Sequence, residues 1–224
     1  MREPLLMHHG ADLCAKAEHF LATIPTKWGV CGAVWKYREE TTGNSSGFAQ
    51  QPSNALLCLL VPPGLTVGEL RKQVLRKYPL CDEVLGDKHG GFHPEVVPEW
   101  FPELVRYLQS YYANSLRDSS ELECVEHWVY WRARLDWSQV TTFGRKVLEA
   151  TAKIERGSRR TYGEIARALG NAHASRAVGA ALGANPWPVL IPCHRVVGAG
   201  GRLTGFSAPG GIKTKQRMLT MEEP

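Results

Sequence analysis

Cys193 and His194 stand side by side in VLIPCHRVVG, residues 189–198, after an apolar run and a proline. A thiol beside an imidazole supplies a nucleophile and a base. The thiolate is the reactive form, and a histidine within reach, directly or through one water, can take the proton. A cysteine that follows VLIP should be buried, and most buried cysteines only fill space. The neighbours argue against filler: His194 and Arg195 bring positive charge beside the thiol, which favours the thiolate. The acidic pair Glu222 and Glu223 offers a carboxylate to orient the imidazole, with Glu222 the first choice, completing a nucleophile, base and orienter arrangement.

A second group of ligand-type residues carries less. Cys81, His89 and His93, with His8, His9, Cys14 and Cys31 upstream, contain no CxxC pair and fit no strong zinc spacing, so no metal is expected. The six cysteines, at 14, 31, 58, 81, 124 and 193, are scattered through 224 residues and read as reduced thiols rather than a disulfide framework. The longest apolar stretch, ALLCLLVPPGL, is cut by Pro62 and Pro63, and the N-terminus lacks a signal-like apolar segment. The expectation is a soluble protein without membrane contact.

The net charge of +5 is unevenly placed. From Thr141 onward thirteen Lys and Arg face five Asp and Glu, a surplus of eight, whereas the preceding residues hold fourteen against seventeen. A basic region concentrated in the C-terminal third is the electrostatic footprint of a nucleic-acid binder.

The elements that must position these groups fall into two sets. WGVCGAVWKY (28–37) and ALLCLLV (55–61) read as strands joined by a loop over Thr41 to Asn54. TVGELRKQVLRKYP opens with a Thr66–Glu69 capping box, carries Leu70, Val74 and Leu75 at helical spacing, and stops at Pro79. After a Gly, His and Pro-rich loop, PEWFPELVRYLQSYYA shows a helical face of Phe101, Leu104, Val105, Leu108 and Tyr112, and EHWVYWRARL reads as a further strand. The mixture predicts a small α/β domain over residues 1–137. Residues 138–224 are mainly helical. VTTFGRKVLEATAKI places Phe143, Val147, Leu148 and Ile154 on one side, RRTYGEIARALG has a second capping box from Thr161 to Glu164, and HASRAVGAALGAN is closed by Gly183 and Asn185. The last two form a helix-turn-helix pattern, and KTKQRMLTMEE makes a final helix that packs Met218 and Leu219.

The helix containing Ala177, Gly179, Ala180, Ala181, Gly183 and Ala184 has almost no side-chain bulk. Such a surface permits close approach, either by another helix or by a DNA groove. Arg159, Arg160 and Arg176 lie before or within this helix pair, where they can meet phosphates, and Arg176 can also reach into the base stack.

With IPCHRVVGAGG and LTGF following TYGEIA and SRAVGAALGANP, the sequence closely resembles the O6-alkylguanine-DNA alkyltransferase family from about Val140 to Glu222, and only loosely before about 137. The resemblance implies a ribonuclease-H-like α/β N-terminal domain and a winged-helix-like C-terminal domain that meets double-stranded DNA from the minor-groove side. It implies irreversible transfer of an alkyl group from guanine O6 to Cys193, one turnover per molecule, by a monomer without cofactor or metal, in the cytoplasm or nucleus. Cys193 would be the acceptor, His194 would take the thiol proton through a water, and Glu222 would hold the histidine. Tyr162 would press on the phosphate beside the lesion and help receive the base. Arg176 would fill the space left by the flipped nucleotide, whose extrusion costs a few kcal/mol. Asn185 would brace the active-site turn. Val196, Phe206 and Ser207 would form the base pocket, and Ala177, Gly179, Ala180 and Gly183, with Arg159 and Arg160, would meet DNA.

This sequence departs from the family pattern around Ser207 to Gly210, which is two residues longer, and at Glu155, Arg156 and Gly157, which replace a Pro-Tyr-Gly. Two other readings rank below the alkyltransferase. One is a non-catalytic alkyltransferase-like lesion binder, in which tryptophan replaces the cysteine. The other is a thiol-sensing winged-helix regulator. A Cys-His hydrolase is more distant, because nothing in the sequence supplies an oxyanion hole.

Overall fold

The computed structural model describes residues 19–37, 54–60, 66–79, 81–85, 97–115 and 125–223. The 41–54 loop except Asn54, together with His8, His9, Cys14, His89, His93 and Cys124, lies outside the described residues. A four-stranded sheet in the order β3-β2-β1-β4 forms the N-terminal half. Strands β1 (His19–Thr26) and β2 (Gly29–Tyr37) make an antiparallel hairpin, β3 (Asn54–Leu60) pairs antiparallel with β2, and β4 (Cys81–Leu85) runs parallel to β1. The crossover into β4 is α1 (Val67–Lys77), whose start is the expected capping box, with Thr66 and Glu69 satisfying each other's orphan backbone donors.

Alternation along the strands divides two faces. Leu21 and Val34 turn toward Leu70 and Val74 of α1, whereas Phe20, Ala22, Ile24, Ala33 and Trp35 turn into the main core. Gly32 is required where α1 crosses, since a Cβ there would sit 2.8 Å from the Leu70 side chain. Leu75, expected on the packed face, is exposed. The other side of the sheet meets α2 (Phe101–Ala113), which buries Phe101, Leu104, Tyr107, Leu108, Tyr111 and Tyr112.

The stretch expected as a strand over EHWVYWRARL is instead helix α3 (Val125–Arg132). Its aromatic and β-branched composition favours a strand, but its contacts have helical spacing. Trp131 Nε1 donates to His127 Nε2 at 2.7 Å, and the Arg134 guanidinium lies 3.6 Å over the Tyr130 ring. Val129 is 60% exposed, so no continuous apolar strand face exists to bury. The end of the stretch does reach the sheet: Leu135 bridges Leu56 of β3 in parallel, through Leu56 N to Arg134 O (2.8 Å) and Asp136 N to Leu56 O (3.0 Å).

The C-terminal half begins after a 3₁₀ turn at Trp137–Gln139 and contains α4 (Thr142–Ala152), α5 (Tyr162–Ala168), α6 (Ser175–Gly183) and α7 (Gly211–Glu222). The second capping box, Thr161 with Glu164, opens α5. Phe143, expected inside, is 37% exposed because the packed stripe of α4 runs through Gly144, Val147, Leu148 and Thr151. A glycine in an apolar stripe carries no hydrophobic signal. A two-residue parallel pairing of Arg160–Thr161 with Val196–Val197, β5 and β6, was not expected; it joins the start of α5 to the strand leaving Cys193. One core runs through both halves, and no described helix is long and apolar enough to cross a membrane.

Candidate active site

The backbone before Cys193 is fixed by the preceding turn. Asn185 Oδ1 accepts from Trp187 N at 3.0 Å and its Nδ2 donates to Ile191 O at 2.9 Å, closing residues 185–191 into a loop. Buried Trp187 donates through Nε1 to Leu56 O at 2.9 Å, and Leu59 N donates to Pro186 O at 2.8 Å, so the free edge of β3 anchors this loop. Inside it Val189 has φ +77°, a conformation a β-branched residue rarely adopts and one held by these surrounding contacts. Residues Cys193–Arg195 then form one 3₁₀ turn, with Arg195 N donating to Pro192 O.

Cys193 is 8% exposed and lies at the wall of a cleft of ≈ 1110 Å³. The same cleft is lined by Tyr162, Arg176, Gly179 and Gly183 from the helix-turn-helix and by Phe206 and Ser207 from the following loop. Burial pushes the thiol above its ordinary range, opposed by the Asn185 side chain, the Lys215 charge and the backbone N–H groups of the turn. The resting sulfur is therefore a protonated thiol that must lose its proton as it reacts.

The candidate base for that proton is the next residue in the chain, His194. His194, fully buried, places Nε2 2.9 Å from Glu222 Oε1. Arg195 grips the same carboxylate twice, Nε to Oε2 and Nη2 to Oε1, both at 2.9 Å, and gives Nη1 to Ile154 O. These charges hold the Glu222 carboxyl well below the usual range despite its burial. Burial, the dominant influence, lowers His194, so the ring is neutral near pH 7. Its Nδ1 is buried and meets no protein donor or acceptor. The expectation that His194 and Arg195 supply the cation beside the sulfur is corrected here: one is neutral, and the other is neutralised by Glu222.

Sequence reasoning missed the cation that does act on the sulfur. Lys215, completely buried on α7, donates to Val196 O at 2.6 Å and to Thr204 O at 3.1 Å, and its Nζ lies 3.5 Å from Tyr162 Oη. Burial lowers its pKa while the neighbouring Cys193 raises it. Its signal was faint: in KTKQRMLTME, Lys215 is one turn before Leu219 and two before Glu222, on the packed face. Tyr162, half-buried, also donates weakly to Thr204 O at 3.4 Å.

This combination of a basic helix-turn-helix and a cleft-lining cysteine coincides with a family match: residues 142–224 fit the model of "6-O-methylguanine DNA methyltransferase, DNA binding domain". A methylated-DNA–protein-cysteine methyltransferase of Mycolicibacterium paratuberculosis is 35% identical over 162 residues, covering 72% of this chain and 87% of that protein. One from Methanosarcina acetivorans is 39% identical over 124 residues, covering 55% of this chain and 70% of the relative. The chain belongs to the methylated-DNA–protein-cysteine methyltransferase family. The crystal structure of Mycobacterium tuberculosis O6-methylguanine methyltransferase superposes with a TM-score of 0.57 at 27% identity, covering 92% of this chain and 93% of that one. The M. tuberculosis protein in complex with DNA gives 0.56 at 27%, covering 91% and 92%. The mixed α/β architecture is thus that of methyltransferases in this family.

Around this family site the other expected residues sort by place. Arg176 is exposed at the start of α6, on the rim of the cleft. Ala177, Ala180 and Gly183 form an exposed face of low relief beside it, while Gly179 lies against the Tyr162 ring, 3.7 Å from where a Cβ would be. Phe206 and Ser207 line the cleft, but Val196 does not; its side chain is fully buried and it contributes the carbonyl that holds Lys215. Arg159 pairs with Glu223 at 2.7 Å and Arg160 with Glu164 at 3.9 Å, all on the surface. Glu223 is therefore separated from the relay that Glu222 completes. Among the described residues no His, Cys, Asp and Glu cluster could hold a metal, and Cys31 is buried in the core.

Proposed function

We propose that this protein repairs alkylated DNA by moving an alkyl group from guanine O6 to the Cys193 sulfur, once per molecule. The observation that carries the reading is a cleft-lining thiol followed directly in the chain by a buried histidine that the Glu222 carboxylate holds through Nε2. The thiol proton passes to His194 Nδ1 through a water, the sulfur attacks the alkyl carbon in line, and the carbon–O6 bond breaks. The guanine anion that leaves takes a proton from the Tyr162 hydroxyl, which Lys215 can replenish across their 3.5 Å contact. The thioether product is stable, so turnover ends there, with no cofactor or metal in the chemistry.

The helix-turn-helix face presents DNA from the minor-groove side. The low-relief surface of Ala177, Ala180 and Gly183 admits the backbone closely, Arg159 and Arg160 meet phosphates, and Arg176 fills the gap in the base stack. Phe206 and Ser207 receive the extruded base, and Asn185 braces the turn beneath it. In this reading residues 1–137 form a ribonuclease-H-like domain and 138–224 a winged-helix-like domain, acting together as a monomer wherever the cell keeps its DNA, in cytoplasm or nucleus.

The test is incubation with an oligonucleotide containing O6-methylguanine followed by peptide mass spectrometry. One added methyl on the Cys193 peptide is the expected result. Tight lesion binding with an unmodified Cys193 would make the protein a lesion binder instead.

A further inference from the structure

We propose that Tyr111, carried by α2 in the N-terminal half, is a positioning residue for alkyl transfer: its hydroxyl fixes Glu222 and the proton-bearing nitrogen of His194, leaving the other ring nitrogen bare toward the thiol. This rests on the alkyl-transfer reading above and adds to it a group from outside the C-terminal half.

Tyr111 Oη lies 2.9 Å from Glu222 Oε1 and 3.2 Å from His194 Nε2. A phenol has one proton to give, and an ionised carboxylate can only accept, so that proton goes to Glu222. The remaining contact, Tyr111 Oη to His194 Nε2, is favourable only if Nε2 carries the hydrogen. Otherwise a nitrogen lone pair would face oxygen lone pairs from both Tyr111 and Glu222 inside a buried site. The Nε2–H tautomer is thereby required twice, and Nδ1 is left as the acceptor. When Nδ1 takes the thiol proton, the imidazolium that forms has its Nε2–H between two oxygens. Burial and the adjacent Glu222 charge keep the Tyr111 phenol protonated far above the ordinary tyrosine range, so it remains a donor.

A second contact holds the two helices in register. Arg156 Nη2 donates to Asn114 Oδ1 at 2.7 Å and to Met221 O at 3.3 Å, and its guanidinium lies 5.6 Å from the Tyr111 ring centre. Asn114 caps α2 in the left-handed conformation, φ +59°. Arg156 therefore ties the end of α2 to the residue preceding Glu222. The charged and titratable groups around the relay are Arg195 on its own turn, Lys215 and Glu222 from α7, Tyr111 and Tyr112 from α2, and Arg156 over the Tyr111 ring.

The test compares full-length wild type with Tyr111→Phe, which removes one oxygen. Rates of Cys193 modification are followed from pH 5 to 9 with iodoacetamide and with O6-benzylguanine, alongside melting temperature. The expected result is a loss of roughly tenfold at pH 7 in both reactions, the scale of one hydrogen bond to a charged group. The pH of half-maximal rate should also move upward in a folded variant. A folded variant with unchanged rates and an unchanged midpoint overturns the proposal. Should the variant not fold, ¹⁵N-histidine spectra of the wild type decide: a pyrrole-type Nε2 and pyridine-type Nδ1 in His194 support the assignment, and the reverse overturns it. If wild type fails with O6-benzylguanine but reacts with iodoacetamide, the alkyl-transfer reading fails while the Tyr111 comparison still stands.

Discussion

Lys215 Nζ donates to the Val196 carbonyl at 2.6 Å while its charge reaches the Cys193 thiol, so one buried ammonium connects the strand leaving the nucleophile to the helix that bears Glu222. Removing the charge while keeping the bulk should leave the sulfur more difficult to ionise. Lys215→Met is expected to slow Cys193 alkylation roughly tenfold at pH 7, equivalent to about one unit in thiol pKa. Iodoacetamide rates against pH measure this directly. Lys215→Arg should not restore the rate, because a planar guanidinium cannot occupy the site of a compact ammonium that meets Val196 O, Thr204 O and Tyr162 Oη. An unchanged pH midpoint in Lys215→Met would reduce Lys215 to a structural strut.

Glu222 and Glu223 are adjacent in sequence and opposite in consequence. Glu222→Gln leaves the buried Arg195 guanidinium without its counter-charge, and losing one partner of a buried pair typically destabilises by about 3–5 kcal/mol. The same change should raise the thiol pKa, because the imidazolium loses its anion. Glu223→Gln disrupts only a surface pair with Arg159 and should stay within about 0.5 kcal/mol of wild type. Denaturant unfolding of both variants, with thiol titration of those that fold, distinguishes them; equal effects would remove Glu222 from the relay.

The parts of this site legible in the sequence were those carried by local signals. Both capping boxes appear where Thr66–Glu69 and Thr161–Glu164 place them, whereas the hydrogen bonds by which Asn185 closes the turn before Cys193 correspond to a role that only the family resemblance implied. What was illegible depends on long-range contact. Tyr111 is one of several aromatics on an apolar helical face, and nothing local says that its hydroxyl meets a residue 111 positions away. Lys215 lies between Lys213 and Arg217, both exposed, and little in the local sequence marks it as the buried one. The helix Val125–Arg132 was hidden for a related reason: its residue types favour a strand, and only packing on Trp100 and Tyr107 decides otherwise.

Acid should weaken the fold in two stages. His194 and His127 both have folded pKa values below the unfolded value, His127 at about 4 because of burial, so the unfolded state binds their protons first. The stability they contribute is complete above about pH 6.5 and declines as the pH falls below it. Glu222, also depressed, adds a second loss that begins near its ordinary range around pH 4.5 and continues downward. Melting temperature should therefore be level near neutrality, fall below pH 6.5 and fall more steeply below about 4.5. Histidine NMR titration should show His127 charging near pH 4 as its bond from Trp131 Nε1 breaks. A melting temperature that rises on acidification from pH 7 to 5 would contradict the burial of these neutral rings.

If Arg176 fills the gap left by an extruded base, its loss separates base extrusion from chemistry. Its side chain lies near the start of α6 on the cleft and takes part in neither the Glu222–His194 hydrogen bonds nor the Lys215 contacts, so its loss should leave the thiol as reactive as before. A free base needs no extrusion, whereas a lesion in duplex DNA must leave the stack at a cost of a few kcal/mol, part of which a side chain filling the gap offsets. Arg176→Ala is accordingly expected to slow repair of O6-methylguanine in duplex DNA roughly ten- to a hundredfold, the rate equivalent of about 1.4–2.7 kcal/mol. Its reaction with free O6-benzylguanine should change less than about twofold. Some of the duplex loss comes from one fewer phosphate-attracting charge, so the comparison is made at saturating DNA, where binding no longer limits the rate. Equal losses on duplex and free base would place Arg176 in the chemical step or in the stability of the cleft, and would remove the base-displacing role from α6.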